Sequence, residues 1–171
     1  MYEIRQAAVI GAGTMGLGIA GQLANAGIDV LLLDLPSDGD RRNATCERAL
    51  ERLLDVTQPG LLHKDNLQRI SIGNIEDDLG KLAVADWITE AVVERLEIKK
   101  DLYRKIDEVR KPGSMVSSNT STIPIALLVE DMPESFRAEF AITHYFNPVR
   151  FMHLLEIVKG DNTRPEVINA L

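Results

Sequence analysis

Gly11-Ala12-Gly13-Thr14-Met15-Gly16 follows a short apolar run, Ala7-Ala8-Val9-Ile10, and opens a stretch of helical periodicity. In a G-x-G-x-x-G pattern at a strand-to-helix turn, the first glycine permits the turn and the second lets the backbone approach a pyrophosphate. The third lets helix and strand pack closely. The helix that starts around Thr14 and Met15 offers backbone N–H groups and a partial positive charge to phosphates. Eighteen residues after Gly16, Asp34 closes a second apolar run, Val30 to Leu33. A carboxylate there accepts from adenosine ribose hydroxyls and repels a 2′-phosphate, which favours NAD over NADP. Arg41 and Arg42 follow closely and complicate that preference, although the intervening Pro36-Ser37-Asp38-Gly39-Asp40 is itself acidic. Without a ligand the same residues read as a glycine-rich turn and a solvated aspartate. The strand before, the helix after and the second strand ending in Asp34 together favour the dinucleotide site.

A second constellation is His144 and Glu156, on two late apolar runs separated by Asn147-Pro148. A carboxylate fixes the tautomer of a histidine and stabilises the imidazolium, which makes a tuned general base. Oxidising an alcohol with NAD needs such a base for the hydroxyl proton. Alone, a histidine on a strand is more often a satisfied core or surface residue. His63 and His153 keep that reading, as a residue of a helical hairpin and one at a strand start. Ser117-Ser118-Asn119-Thr120-Ser121-Thr122 follows the fifth strand, at the sheet edge where open α/β folds bind ligands. It reads equally as a helix N-cap and turn. Glu90 to Lys99 leads from strand to helix; beside a dinucleotide site, Glu94 and Lys99 become candidates for ribose and phosphate contacts.

These residues need a frame. Short apolar runs alternate with helical stretches, the signature of an α/β fold: a Rossmann-type, doubly wound, mostly parallel sheet. The pattern predicts a helix from Thr14 to Ala26 stopped by Gly27, and a helical hairpin inserted after the second strand. Its arms are Asn43 to Val56, with Ala49, Leu50, Leu53 and Leu54 inward, and Leu61 to Leu67. Further strands are expected at Ile70-Ser71-Ile72, Asp86 to Val92, Met115 to Asn119, Phe140 to His144 and His153 to Val158. A helix from Leu96 to Val109 turns Leu96, Leu102, Ile106 and Val109 inward, and another opens at Pro165.

The 171 residues carry 19 Lys and Arg against 26 Asp and Glu, a net charge of −7, so nucleic acid is not an expected partner. A single cysteine, Cys46, excludes an internal disulfide framework and a cysteine-based zinc site, and no metal site is expected. It fits a reducing, cytoplasmic setting. No apolar run reaches the roughly 18 residues of a membrane helix, and residues 1–6 lack a signal-peptide pattern. The expectation is one domain spanning 1–171, with no membrane span.

Taken together, VIGAGTMGLGIA (9–20), TEAVVERLEIK (89–99), SSNTSTI (117–123) and THYFNPVRFMHLLEIV (143–158) resemble the N-terminal NAD-binding domain of the 3-hydroxyacyl-CoA dehydrogenases of fatty-acid β-oxidation. The H-x-F-N-P segment followed by L-x-E is the most specific part. The resemblance implies oxidation of (S)-3-hydroxyacyl-CoA with NAD, with His144 as the base and Glu156 as its orienting carboxylate. It also implies that Ser121 contacts substrate hydroxyl and nicotinamide, and that Asn147 lies in the active site. Cofactor contacts are implied at Asp34, Ala91, Glu94, Lys99 and Asn119. The family carries a further all-helical domain that supplies the homodimer interface and part of the acyl-CoA site; the chain is expected to stop near that junction. The Asp- and Gly-rich stretch from Asp34 to Thr45 resembles versions found in larger multifunctional proteins. Two alternatives use the same residues. One is a β-hydroxyacid dehydrogenase, which begins G-x-G-x-M-G but lacks the H-x-F-N-P segment. The other is a non-catalytic NAD-binding protein, like the lens crystallin that resembles this family.

Overall fold

A computed structural model describes residues 3–55, 57 and 59–171. Among these residues seven strands form one sheet: β1 (Gln6–Ile10), β2 (Asp29–Asp34), β3 (Ile70–Asn74), β4 (Trp87–Glu90), β5 (Met115–Ser118), β6 (Phe140–Tyr145) and β7 (Leu155–Lys159). Their order is β3-β2-β1-β4-β5-β6-β7. All neighbours are parallel except β6 and β7. The carboxyl ends of β1, β4, β5 and β6 therefore lie along one edge, and the order reverses between β1 and β4, where open α/β sheets bind ligands.

Both faces of the sheet are covered, which is why the central strands are apolar throughout. One core layer joins β1 and β2 to α1 (Thr14–Asn25) and α2 (Ala44–Leu53), through Leu17, Ile19, Leu23, Cys46, Ala49 and Leu53. The other packs α3 (Leu96–Val109), the short α4 (Ile125–Leu128) and α5 (Glu134–Ala138) against the opposite face. Tyr103, Phe136 and Phe140 form an aromatic cluster there, with centroids 5.2–5.8 Å apart. The last helix, α6 (Pro165–Ala170), buries Val167. Helix α1 caps at Ala26, and Gly27, at φ +85°, takes the left-handed position after it.

Three expectations need correction. The second arm of the inserted hairpin is a 3₁₀ helix over Lys64–Arg69, not an α-helix from Leu61. Leu61 is buried as a loop residue beside α1 and α2, and His63 closes the 3₁₀ turn by accepting from the Asp65 amide at 3.3 Å. The first arm stops at Leu53, leaving Leu54 exposed rather than inward; Val56 lies outside the described residues. Strand β7 starts at Leu155, so His153 precedes it and is exposed. No helix among the described residues is long and apolar enough to cross a membrane.

Candidate active site

The glycine loop is shaped by steric need. Gly11 leaves β1 at φ +108°, and its amide donates to the Leu33 carbonyl at 2.7 Å. A side chain there would come within 2.5 Å of the Ala91 carbonyl oxygen. At Gly16 a Cβ would overlap the Gly11 carbonyl and meet the Ala91 methyl. Gly13 is different: a Cβ there would meet nothing within 4 Å. The protein's own packing does not require that glycine, whereas a ligand approaching the backbone would. Helix α1 begins at Thr14 and Met15 with no side-chain cap and no acidic residue in its first turn, so its N-terminus is suited to an anion.

Asp34 ends β2 beside this loop. Its Oδ2 accepts from the Ala12 amide at 2.6 Å and its Oδ1 from the Leu35 amide at 2.6 Å. Each carboxylate oxygen keeps a further acceptor position for a ribose hydroxyl. A crevice of about 430 Å³ runs from Gly11 and Gly13 past Asp34 to the apolar walls of Ile75, Val92 and Ile98. A flat heterocycle with a ribose and pyrophosphate fits this lining: apolar walls, the Asp34 carboxylate, then an uncapped helix, with Asp101 and Lys105 also bordering the crevice. Arg41 pairs with Glu47, and Arg42 is held by Glu76 at 2.8 Å and Asp77 at 2.6 Å. Both cations complicating the choice of NAD over NADP thus have carboxylates of their own.

Beyond β4 and β5 lies a polar turn. Glu94 Oε1 accepts from Thr120 and, at 3.1 Å, from Thr122, the two neighbours of Ser121. Burial pushes the Glu94 carboxyl up, but the Thr120 hydrogen bond and the Lys99 charge outweigh it, so its pKa is lowered. Thr120 Oγ1 also accepts from the Ile123 amide at 3.1 Å. The turn reading of this segment therefore holds. The cap reading does not, since α4 starts at Ile125 behind Pro124 with no side-chain cap. Ser121 itself is exposed. Asn119 joins two strand ends: its amide donates to the Glu90 carbonyl at 2.8 Å, and its Oδ1 accepts from the Tyr145 amide at 2.9 Å. Lys99, a candidate ribose or phosphate contact, is only 1% exposed, with its ammonium 2.6 Å from Glu90 and 3.2 Å from Glu94. Its nearest anions are thus the protein's own.

His144 and Glu156 come together as the sequence suggested. They are directly paired in the antiparallel register of β6 and β7, and Nδ1 lies 2.8 Å from Glu156 Oε2. The imidazole is 20% exposed and tilts against Phe146 at a centroid distance of 4.6 Å. With Nδ1–H donated to Glu156, Nε2 is left as an acceptor, the state a general base needs. Next to it, burial pushes the Tyr145 phenol up to about 12, so that group stays protonated. Asn147 is exposed after β6 and precedes Pro148 through a cis peptide bond.

Underneath lie Glu90 and Tyr103, which sequence reasoning missed, and Ser117 and Ser118, which it placed in the polar row at the ligand edge but which β5 carries into the core; all four are buried and hydrogen-bonded. The signal was present: Lys99 and Tyr103 fall on the same helical stripe as Leu102 and Ile106, so a charge on that stripe needs a buried partner. Cys46 takes no part. Burial pushes its thiol up to about 11, and it points at the Leu32 and Gly73 carbonyls.

Fold and site together define a dinucleotide-binding Rossmann domain with a histidine–carboxylate pair at its ligand edge. The model of the 3-hydroxyacyl-CoA dehydrogenase NAD-binding domain matches residues 6–171, and the chain belongs to that family, with NAD as its cofactor. It is 46% identical over 168 residues to a probable 3-hydroxyacyl-CoA dehydrogenase of Deinococcus radiodurans, covering 97% of this chain and 48% of that protein. A probable 3-hydroxyacyl-CoA dehydrogenase of Bacillus subtilis is 44% identical over 184 residues, with 99% and 23% covered. The crystal structure of 3-hydroxybutyryl-CoA dehydrogenase from Escherichia coli superposes with a TM-score of 0.84 at 34% identity, over 98% of this chain and 35% of that one. The chain thus spans half or less of these proteins' length.

Proposed function

We propose that residues 1–171 form the cofactor-binding and catalytic-base domain of an NAD-dependent dehydrogenase. It converts (S)-3-hydroxyacyl-CoA to 3-oxoacyl-CoA in fatty acid oxidation. The observation that carries this reading is the His144–Glu156 contact of 2.8 Å on the same sheet edge as the glycine loop.

In the reaction, Ser121 holds the substrate hydroxyl and His144 Nε2 takes its proton. Glu156 stabilises the imidazolium that results, and Asn147 adds a polar contact from the following turn. A bound NAD would supply the acceptor for the C3 hydride of the alcohol. Asp34, the glycine loop and the start of α1 hold the adenosine and pyrophosphate; Ala91, Glu94, Asn119 and Lys99 serve the nicotinamide side, Lys99 by way of Glu94. The acyl-CoA substrate, a homodimer built through a helical domain outside these residues, and a cytoplasmic setting complete the proposal. The proportion of each relative that this chain covers supports the additional domain.

Two measurements test it. NADH fluorescence titration of the chain is expected to show saturable binding. The whole protein is expected to reduce acetoacetyl-CoA with NADH and to leave free β-hydroxyacids untouched. Turnover of the free acids instead would favour a β-hydroxyacid dehydrogenase. Binding without any turnover would favour the crystallin-like alternative.

A further inference from the structure

Glu90 ends β4 with its side chain fully buried. One carboxylate oxygen accepts from the Val92 amide at 2.7 Å and from Lys99 Nζ at 2.6 Å. The other accepts from the Tyr103 and Ser118 hydroxyls, each at 2.7 Å. Those four donors fill the acceptor positions of a carboxylate. None of the proposed chemical steps uses this group.

Two chains of contacts leave it, and both lead to the site. Through Lys99, Glu90 reaches Glu94 at 3.2 Å, and Glu94 in turn holds Thr120 and Thr122 on either side of Ser121. Through Ser118, whose hydroxyl accepts from the Thr120 amide at 3.2 Å, it reaches the start of the same turn. Its main-chain carbonyl holds the Asn119 amide, and Asn119 holds the amide of Tyr145, next to His144.

We propose that Glu90 is a positioning residue that sets the Ser121 turn relative to His144. The inference rests on the dehydrogenase reading above. The charge matters because Lys99, 1% exposed, has Glu90 as its inward anion; without it the ammonium is drawn toward Glu94 alone. An amide in place of the carboxylate presents N–H donors to groups that are themselves donors. The turn then shifts, and a misplacement of about 1 Å costs on the order of 10²-fold in rate.

The experiment compares Glu90→Gln, Ser118→Ala and the double variant Glu90→Gln/Lys99→Met with the unaltered protein. Amide hydrogen exchange, in the absence of cofactor and substrate, is expected to rise in residues 118–123 and at Tyr145 in Glu90→Gln, with β1 and α1 unchanged. In the whole protein kcat is expected to fall about 10- to 100-fold, with KM for the acyl-CoA changed less than about threefold. The double variant removes the buried ammonium that Glu90→Gln leaves with Glu94 alone, and is expected to regain thermal stability but not kcat. Ser118→Ala cuts one branch and is expected to give a smaller loss of kcat, which serves if Glu90→Gln does not fold. Recovery of kcat along with stability in the double variant, or exchange in 118–123 that stays at the unaltered level, would overturn the proposal. If the unaltered protein fails to oxidise acyl-CoA substrates, the functional reading falls instead, and exchange in the turn still decides whether Glu90 positions it.

Discussion

His144 and Glu156 are cross-strand partners in the antiparallel pairing of β6 with β7, and their side chains meet at 2.8 Å. The imidazole is therefore oriented by a ladder of main-chain hydrogen bonds, and a one-residue slip of β7 would turn Glu156 to the other face. Replacing His144 with Gln is expected to lower kcat by about 10²–10⁴-fold while NADH affinity stays within about twofold of its original value, as expected for a group that acts in the transition state. Steady-state kinetics beside a fluorescence titration measure both. Unchanged kcat would remove His144 from the mechanism.

Asp34 gives a prediction about cofactor choice. Charge-assisted hydrogen bonds are worth about 1.5–3 kcal/mol, so Asp34→Ala is expected to weaken NADH about tenfold or more. The same change narrows the preference over NADPH, because the repulsive carboxylate is gone. Paired titrations of the two cofactors decide it. Equal affinity of the unaltered chain for both would mean that Asp34 does not serve the ribose.

Gly13 and Gly16 are expected to behave oppositely. Gly13→Ala meets nothing in the protein and sits at φ −67°, so stability should stay within about 0.5 kcal/mol of the original. Its methyl group is expected to obstruct the pyrophosphate, and overpacking of about 1–3 kcal/mol corresponds to a tenfold or greater loss of NADH affinity. Gly16→Ala pushes against the Gly11 carbonyl and should lower the urea midpoint outright. A Gly13→Ala variant that binds NADH normally would show that the cofactor does not pass over this residue.

Glu94 supplies a pH dependence. Its pKa in the folded chain lies below the usual 4.5. A lowered carboxyl pKa contributes stability that is fully present above the unfolded value and lost as pH falls through the folded one. Urea midpoints should therefore decline below about pH 4.5, and Glu94→Gln should flatten that part of the curve. The side chain is 40% exposed, so the effect is small. A decline of the same size in Glu94→Gln would assign it to other carboxylates.

Much of this architecture was legible in the sequence, for physical reasons that differ along the chain. Helix α3 was readable from Leu96 to Val109 because its apolar stripe is regular and Lys111-Pro112-Gly113 stops it. Asp34 was readable as the polar residue closing the apolar run of β2, whereas His144 and Glu156 stood out through the H-x-F-N-P and L-x-E segments of the family resemblance rather than through strand spacing. The short 3₁₀ segments were not: Leu79–Val84 has too few residues to show a period, and Lys64–Arg69 buries none of its own. The polar support below the site was hidden for another reason. Ser117 and Ser118 have the composition of a turn, yet β5 carries them into the core, where Ser117 binds Trp87 and Thr143 and Ser118 binds Glu90. Only the pairing of strands distinguishes a buried hydroxyl from a capping one.

The Glu90–Lys99 pair also constrains how this sequence can drift over generations. Removing one partner of a buried pair costs about 3–5 kcal/mol, a large part of the roughly 5–15 kcal/mol that holds a domain together. A lineage that changes residue 90 first leaves the buried ammonium with Glu94 alone, and one that changes residue 99 first leaves the buried carboxylate with neutral donors only. Swapping both for apolar side chains relieves the charge but leaves the Tyr103 and Ser118 hydroxyls and the Val92 amide without their acceptor, so the single steps and the double change all cost stability. The two positions, nine residues apart in the chain, are therefore locked to each other as a historical unit, independent of any selection acting on the chemistry above them.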